Sequence, residues 1–437
     1  MRIMSGALVL ALCMSLVVGH AGAADYTVDI FGNANMDDTI DEDDIAYLER
    51  IIDGTDETTE LADANYDGEI DENDITQIEQ IIVGEEKEIT FIDARGEAVT
   101  VKKPIERIVV LHLAPASVIR VLGAEGEVVG TGGMDEKYYS SMYPVMSKLP
   151  AVGGESPNYE EILDLKPDIV LQQGTSTEEL EEKFDSWTTV VRFDFFSNPQ
   201  NMAKMIMELG YILDKEDKAK EFIEFQSSVL NTIKARTEGL SEEERPRVFY
   251  CSFPSAGYRY YAICPKEYAG PVLDLAGGNN IAADLIGAPG IVVNPEWVLE
   301  QNPDIIFARE LTRLPMGYNT DNITGVKMAL EQMVNEPGWD HINAVKDGKV
   351  YIEVSEIDYG MQSFIMVAYM AKLIYPDLFE DFDPETIQQE FLTRFQRVDY
   401  DLDEHGTFVY PPIIKDEGKL SGIPDRYYDS IAAQYGP

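Results

Sequence analysis

Cysteine and histidine are scarce in this 437-residue chain, three and four in all. Cys13 and His20 fall in an apolar N-terminal stretch, which leaves Cys251 and Cys264 and three scattered histidines, His112, His341 and His405. Cys251 and Cys264 bracket CSFPSAGYRYYAIC with no His or further Cys beside them, which excludes a zinc site. The segment reads as strand, turn and strand. In an oxidising compartment both a disulfide across that hairpin and two separate thiols fit it. Basic residues are scarce as well: 34 Lys and Arg stand against 80 Asp and Glu, a net charge of −46. A surface of that sign repels phosphate backbones and anionic lipid, and excludes nucleic acid as a partner. It suits calcium, a salty exterior or a positively charged docking partner. Walker-type phosphate loops, nucleophile elbows and zinc-hydrolase helix motifs are absent. Beyond the first residues, no apolar run reaches membrane-spanning length.

The chain opens MRIMSGALVLALCMSLVVGHAGAADY: one basic residue, an apolar run, then small residues ending at Ala24. This pattern predicts a cleaved signal peptide over 1–24 and export of the remainder to the cell surface or extracytoplasmic space. Leu12, directly before Cys13, is too bulky for lipoprotein processing.

Residues 25–86 hold 22 acids and one Arg, and contain a duplication thirty residues apart, NANMDDTIDEDDIAYLERIIDG and DANYDGEIDENDITQIEQIIVG. Oxygen-bearing side chains recur at loop positions 1, 3, 5, 9 and 12: Asn33, Asn35, Asp37, Asp41 and Asp44, then Asp63, Asn65, Asp67, Asp71 and Asp74. With the position-7 carbonyls of Thr39 and Glu69, this spacing matches the roughly six to eight oxygens a hard cation takes. Each loop runs into an apolar stripe of helical period, Ile45-Leu48-Ile51-Ile52 and Ile75-Ile78-Ile81-Ile82. The expectation is a paired calcium module. One helix per loop and Asp at position 12 resemble the type I dockerin, which implies a cohesin-bearing partner. Loop one departs from that pattern, with Asn33 for the first Asp and Asp38 where Gly makes the turn, so the first calcium site is expected to be the weaker. Positions 10 and 11, Glu42-Asp43 and Glu72-Asn73, are unlike the hydroxyl pairs that bear on cohesin choice.

From residue 87 onward, strand-like runs (IVVLHL, EVVGTGG, DIVLQQG, TVVRFDF) alternate with helical patterns, and the order recurs in RVFYCSF, IIFARE and KVYIEV. That alternation predicts parallel βαβ units in two Rossmann-like α/β lobes. We divide the chain into a first lobe at 87–198, connecting helices at 199–243, a second lobe at 244–400 and an extension at 401–437 packing on the second lobe. Periodicity in 202–233 predicts a long helix joining the lobes. NYEEILDLKPDIVL (158–171) and NPEWVLEQNPDIIF (294–307) agree at six of fourteen positions, one copy in each half. The motifs ITFIDARGEAVTVKKPIERIVVL, EEILDLKPDIVL, LAGGNNIAAD and INAVKDGKVY resemble ATP-binding-cassette importer substrate-binding proteins of the ferric siderophore, haem and cobalamin class. The resemblance spans about 88–375 and implies the helical-backbone two-lobe fold, with Glu160 and Glu296 docking to the permease.

Ligand contacts are expected where strands end: His112, then Tyr258, Arg259 and Tyr260 in the Cys-flanked hairpin, Arg309, and Tyr359 in the stretch 356–360. The leading reading is therefore a non-enzymatic exported receptor. It captures a metal chelate, whether ferric siderophore, haem or corrinoid, and hands it to a permease and its ATPase, with a calcium-dependent docking module. The alternatives are a dockerin-bearing extracellular carbohydrate-active enzyme and a surface scaffold or adhesion protein.

Overall fold

The computed structural model describes residues 26–154, 156–174, 180–184, 187–194, 199–255, 259–265, 269–285, 291–310, 314–358, 360–416 and 418–436. The predicted signal peptide lies outside them.

The two acidic loops each end in a helix, α1 (Glu42–Ile52) and α2 (Glu72–Val83), started by the same device. Asp41 accepts from Asp43 N at 2.9 Å while Asp44 accepts from Asp41 N at 2.8 Å. Asp71 and Asp74 repeat this at 2.7 and 2.9 Å. These are capping boxes, satisfying amides that a helix start leaves without partners. Leu48, Ile51, Ile78 and Ile81 from the predicted stripes are buried between the helices and their surroundings.

The module is welded to the β-hairpin that leads into the first lobe. Ile30 bridges Phe91 of β1 (Glu88–Ile92), which pairs antiparallel with β2 (Ala98–Lys102). Phe31 N donates to Thr90 O at 2.9 Å and Ile92 N to Asp29 O at 2.8 Å.

The first lobe contains β3 (Ile108–Val110), α3 (Leu113–Leu122), β4 (Val128–Thr131), α4 (Glu136–Tyr139), α5 (Tyr159–Leu165), β5 (Ile169–Gln173) and β6 (Thr189–Phe193). Its sheet is parallel, in the order β4-β3-β5-β6. Buried runs such as Ile108-Val109-Val110 and Ile169-Val170-Leu171 explain why: a parallel sheet needs both faces covered.

Two helices come next within the expected connecting segment, α6 (Pro199–Ile212) and the longer α7 (Glu216–Thr237), so the periodicity read as one long helix over 202–233 is split between them. The break falls at Asp214, which takes φ +55°, and Lys103 reaches across to Asp214, Glu86 and the carbonyl of Tyr211.

The second lobe contains β7 (Arg247–Ser255), β8 (Arg259–Ala262), α8 (Gly270–Leu275), β9 (Asn279–Asn280), β10 (Ile291–Val293), α9 (Pro295–Gln301), β11 (Ile305–Glu310), α10 (Thr324–Val334), α11 (Asn343–Lys346), β12 (Val350–Val354), α12 (Ser363–Ile374), α13 (Pro384–Glu390) and β13 (Val409–Tyr410). Its sheet runs β10-β8-β7-β11-β12-β13, with β9 beside β7. Only β7, β9, β11 and β12 are parallel; the hairpin strands and β13 make the edges antiparallel. Phe222 and Phe225 of α7 meet Phe364 of α12 and Phe395 of the segment beyond α13, with ring centroids 5.0–6.1 Å apart. That aromatic cluster fixes the connecting helix to the second lobe.

The hairpin decides between the two readings of its cysteines. Cys251 stands opposite Ala262, so Cys264 lies beyond the end of β8, and the two are not joined. Each thiol turns to a different neighbour, Cys251 Sγ to Phe307 O and Cys264 Sγ to Ala282 O, both at 3.6 Å.

Candidate functional site

The duplicated segment folds alike in both lobes. Asn158 caps α5 and Asn294 caps α9, accepting from Glu161 N at 3.4 Å and Trp297 N at 2.8 Å. Each helix has seven residues and ends in a left-handed residue, Lys166 at φ +46° and Asn302 at φ +45°. The Asp after the shared Pro ties the helix exit to the start of a strand. Asp168 accepts from Arg107 N at 2.8 Å, and Asp304 from Arg247 N at 3.0 Å. Arg107 and Arg247 close the unit by donating to the last helical carbonyls, Leu165 O at 2.7 Å and Gln301 O at 2.9 Å. Glu160 and Glu296 stand in the first turns, where the helix dipole favours a carboxylate.

Between the lobes lies a cleft. The first lobe contributes Leu113, Ala114 and Ser117 from the start of α3, then Tyr139, Met142 and Tyr143. The second contributes Tyr318, Asn319, Glu356, Gly360, Met361 and Gln362. Both sets lie beyond the carboxyl ends of parallel strands, where open α/β sheets place their ligands. The walls touch at Ser117 Oγ to Met361 Sδ, 3.7 Å, and at Ser141 Oγ to Asn319 Oδ1, 3.5 Å. The enclosed space is about 90 Å³, against roughly 300–1,000 Å³ for clefts that bury a drug-sized ligand. A ligand as large as a tetrapyrrole requires the lobes to part.

Glu356 enters this cleft beside Gly317, which has φ +89°, a conformation side chains rarely adopt, and a Cβ there would meet the Glu356 carboxylate where it now lies. The carboxylate accepts from Tyr318 N at 2.9 Å. Burial raises its proton affinity above the ordinary carboxyl range, and burial followed by the charge of Glu356 raises that of Tyr139. Sequence reasoning reached Glu356 only as part of a strand-end stretch and missed Tyr139, Met142, Tyr143, Tyr318 and Met361. The available signal was the run Tyr138-Tyr139-Ser140-Ser141-Met142-Tyr143 after a strand, too rich in rings for an ordinary loop.

The expected ligand residues disperse. His112 is the N-cap residue of α3, next to cleft-lining Leu113, with its Nε2 3.3 Å from Gln172 Nε2. Tyr260 is 1% exposed and stacks on Trp339 at 4.9 Å, inside the second lobe, because the hairpin's inner face fills the lobe core. Arg309 forks onto Asp358, which also accepts from Tyr250 OH at 3.3 Å; that hydroxyl lies 2.9 Å from Glu353 Oε1 as well. Burial raises the Glu353 and Asp358 carboxyls, so this network holds strand ends in a dry interior. Tyr258, Tyr359 and the side chain of Arg259 lie outside the described residues.

The acidic loops offer oxygen donors alone. The Asp44 and Asp74 carboxylates at position 12 are fully buried and accept from Asn35 N and Asn65 N at 3.1 and 3.0 Å. Burial pushes Asp44 up to about 7. Asp63 accepts from Asp67 N and Gly68 N, with Gly68 at φ +90°, whereas Asn33 spends its amide on Val28 O and Asp37 O. Among the described residues no three His, Cys, Asp or Glu side chains form a metal-holding group; Asn and backbone oxygens make up much of each loop. Loop one is also gripped from outside. Tyr211 of α6 accepts from Ile40 N at 2.7 Å and shares a hydrogen bond with Thr39 Oγ1 at 3.1 Å.

Comparison with known proteins places this architecture. The high-affinity heme uptake system protein IsdE of Staphylococcus aureus is 26% identical over 234 residues, which is 53% of this chain and 75% of that protein. The TroA-like periplasmic binding protein FepB of Veillonella parvula superposes with a TM-score of 0.60 at 22% identity, over 73% of this chain and 98% of its own. The molybdate-bound periplasmic binding protein MolA of Haemophilus influenzae gives 0.57 at 23% identity, over 71% and 99%. At such identities the structural likeness speaks for the fold alone. Residues 108–354 match the family model described as Periplasmic binding protein, and the chain belongs to that family.

Proposed function

We propose that this protein is the substrate-binding receptor of an ATP-binding-cassette importer, exported by its N-terminal leader, which captures a metal chelate and delivers it to the permease. The family is one of solute-binding proteins and not of enzymes. Among the described residues no helix is long and apolar enough to cross a membrane. The observation that carries the reading is the cleft walled by both lobes at their strand ends. Tyr and Met side chains there give the cleft the largely apolar lining, with a few polar groups, that small-molecule sites use. Ferric siderophore, haem and corrinoid are the candidate classes, in keeping with the haem-uptake relative. Glu160 and Glu296, placed alike on the two lobes, are the docking points for the permease.

Calcium belongs to the same proposal. Asn33, Asn35, Asp37, Thr39, Asp41 and Asp44 would hold one ion, and Asp63, Asn65, Asp67, Glu69, Asp71 and Asp74 the other. The metal would supply the positive charge that the crowded carboxylates lack. A cohesin-bearing surface protein is the partner such a module would take. Absorbance and tryptophan-fluorescence titration of the purified protein with iron protoporphyrin, a ferric hydroxamate and a corrinoid tests the receptor reading. Saturable one-to-one binding of one of them is expected, and silence with all would refute it.

A further inference from the structure

We infer that the cleft selects a metal complex carrying net positive charge, with Glu356 as its counter-charge and the rings of Tyr139 and Tyr143 as its walls. This deepens the proposed receptor function and rests on the cleft being the binding site.

Three observations converge. First, a carboxylate has been brought into the cleft at a cost. It packs directly against Gly317, where a Cβ would meet it, and Tyr318 N donates a hydrogen bond to it. Among the described residues it forms no ion pair, and no Lys, Arg or His lines the cleft. A charge removed from water without a counter-charge is unfavourable, so the site is poised for a cation. Among the described residues, two guanidiniums in adjoining segments are committed elsewhere. Arg309 is bound to Asp358, and Arg120 lies behind Tyr143, its centre 5.8 Å from the ring centroid. Arg120 donates to Met142 O and Gln396 O and pairs with Glu125.

Second, the remaining wall is polarisable. Tyr139 and Tyr143 meet edge to face at 6.3 Å, and Met142 and Met361 are buried beside them. Aromatic faces attract cations within about 6 Å, and thioethers adapt to irregular soft surfaces. Third, the net charge of −46 concentrates cations at the surface and disfavours the approach of anions. An anionic chelate would meet Glu356 as a like charge in a water-poor space. A cationic complex would meet its counter-ion.

The test uses two ligand pairs whose members differ in charge, one by acetylation of an amine and one by the axial ligands on the metal. A preference shared by both pairs reports charge. Ferrioxamine B carries a terminal ammonium that its N-acetyl derivative lacks. Diaquacobinamide is a cation, whereas dicyanocobinamide is neutral. Iron protoporphyrin with its two carboxylates is the anionic probe. Isothermal titration is run on the full-length protein and on Glu356→Gln and Tyr139→Leu, each checked for an unchanged unfolding midpoint. Within a pair, the cation is expected to bind roughly tenfold more tightly. Glu356→Gln should erase that preference by weakening the cation to about the affinity of its neutral partner, and Tyr139→Leu should weaken the cation several-fold. Gln keeps the acceptor for Tyr318 N, so the variant removes charge and not shape. Equal binding within the pairs, tighter binding of iron protoporphyrin, or a preference that survives Glu356→Gln overturns the inference and leaves the receptor function standing. Binding of none of the five overturns both.

Discussion

Replacing Tyr211 by Phe probes whether the N-terminal module and the binding lobes form one mechanical unit. Tyr211 is 3% exposed, and its hydroxyl is the acceptor for Ile40 N at 2.7 Å and a partner of Thr39 Oγ1 at 3.1 Å. Burial pushes the phenol up to about 12, so it is neutral at physiological pH and acts through hydrogen bonding. Phe preserves the ring's packing and deletes one atom. Ile40 is itself buried, so its amide is left without this partner. The loss of an acceptor for a buried donor costs about 1–3 kcal/mol. Urea unfolding should show a lower midpoint with an unchanged slope, since the area exposed on unfolding is the same. Hydrogen exchange at Ile40 should quicken by one to two orders of magnitude, because each 1.4 kcal/mol is about tenfold. If calcium occupies loop one through the Thr39 carbonyl, its affinity there should fall while loop two is unaffected. Unchanged stability together with unchanged exchange at Ile40 would refute the coupling.

The remaining predictions concern other parts of the chain. Glu208 is buried in α6, accepts from Asp29 N at 2.9 Å, and is pushed by burial up to about 8, with Lys204 opposing. A raised carboxyl stabilises the fold fully below its unfolded value near 4.5, and this contribution is lost as pH rises through about 8. Glu208→Gln should therefore flatten stability between about pH 5 and 8 by an amount on the order of a few kcal/mol; an unaltered slope would count against it. Lys at both Glu160 and Glu296 should abolish uptake in cells while leaving ligand affinity within about twofold, and an equal loss of affinity would remove their docking role. Since Cys251 is fully buried and burial raises its thiol well above the usual range, reductant should leave the unfolding midpoint unmoved. Mass spectrometry should find both thiols alkylated after unfolding without reduction.

Much of the architecture was legible because its signals are local. The paired acidic loops, the helical stripes behind them, and the buried strand runs depend on residues a few positions apart. The duplicated segment was legible for the same reason: Asn cap, seven-residue helix, Pro-Asp and strand are one contiguous unit. The break between α6 and α7 was not, because Asp214 is held by Lys103, more than a hundred positions upstream. The cleft was legible only in place. Strand ends identified its location, but which rings reach it depends on how two lobes meet. Tyr260 carries the same side chain as Tyr318, yet one stacks on Trp339 inside a lobe and the other lines the gap.

By itself, then, sequence determined the acid excess, the paired loops, the two-lobed α/β pattern and the repeated helix–strand unit, all set by spacing along the chain. Tertiary structure alone decided three things. It kept Cys251 apart from Cys264 through strand register, and it closed the acidic module onto α6 through Tyr211. It also brought Glu356 and Tyr139 to the same cleft from opposite lobes. Each depends on segments far apart in sequence, whose meeting is set by packing of the whole molecule rather than by any local pattern.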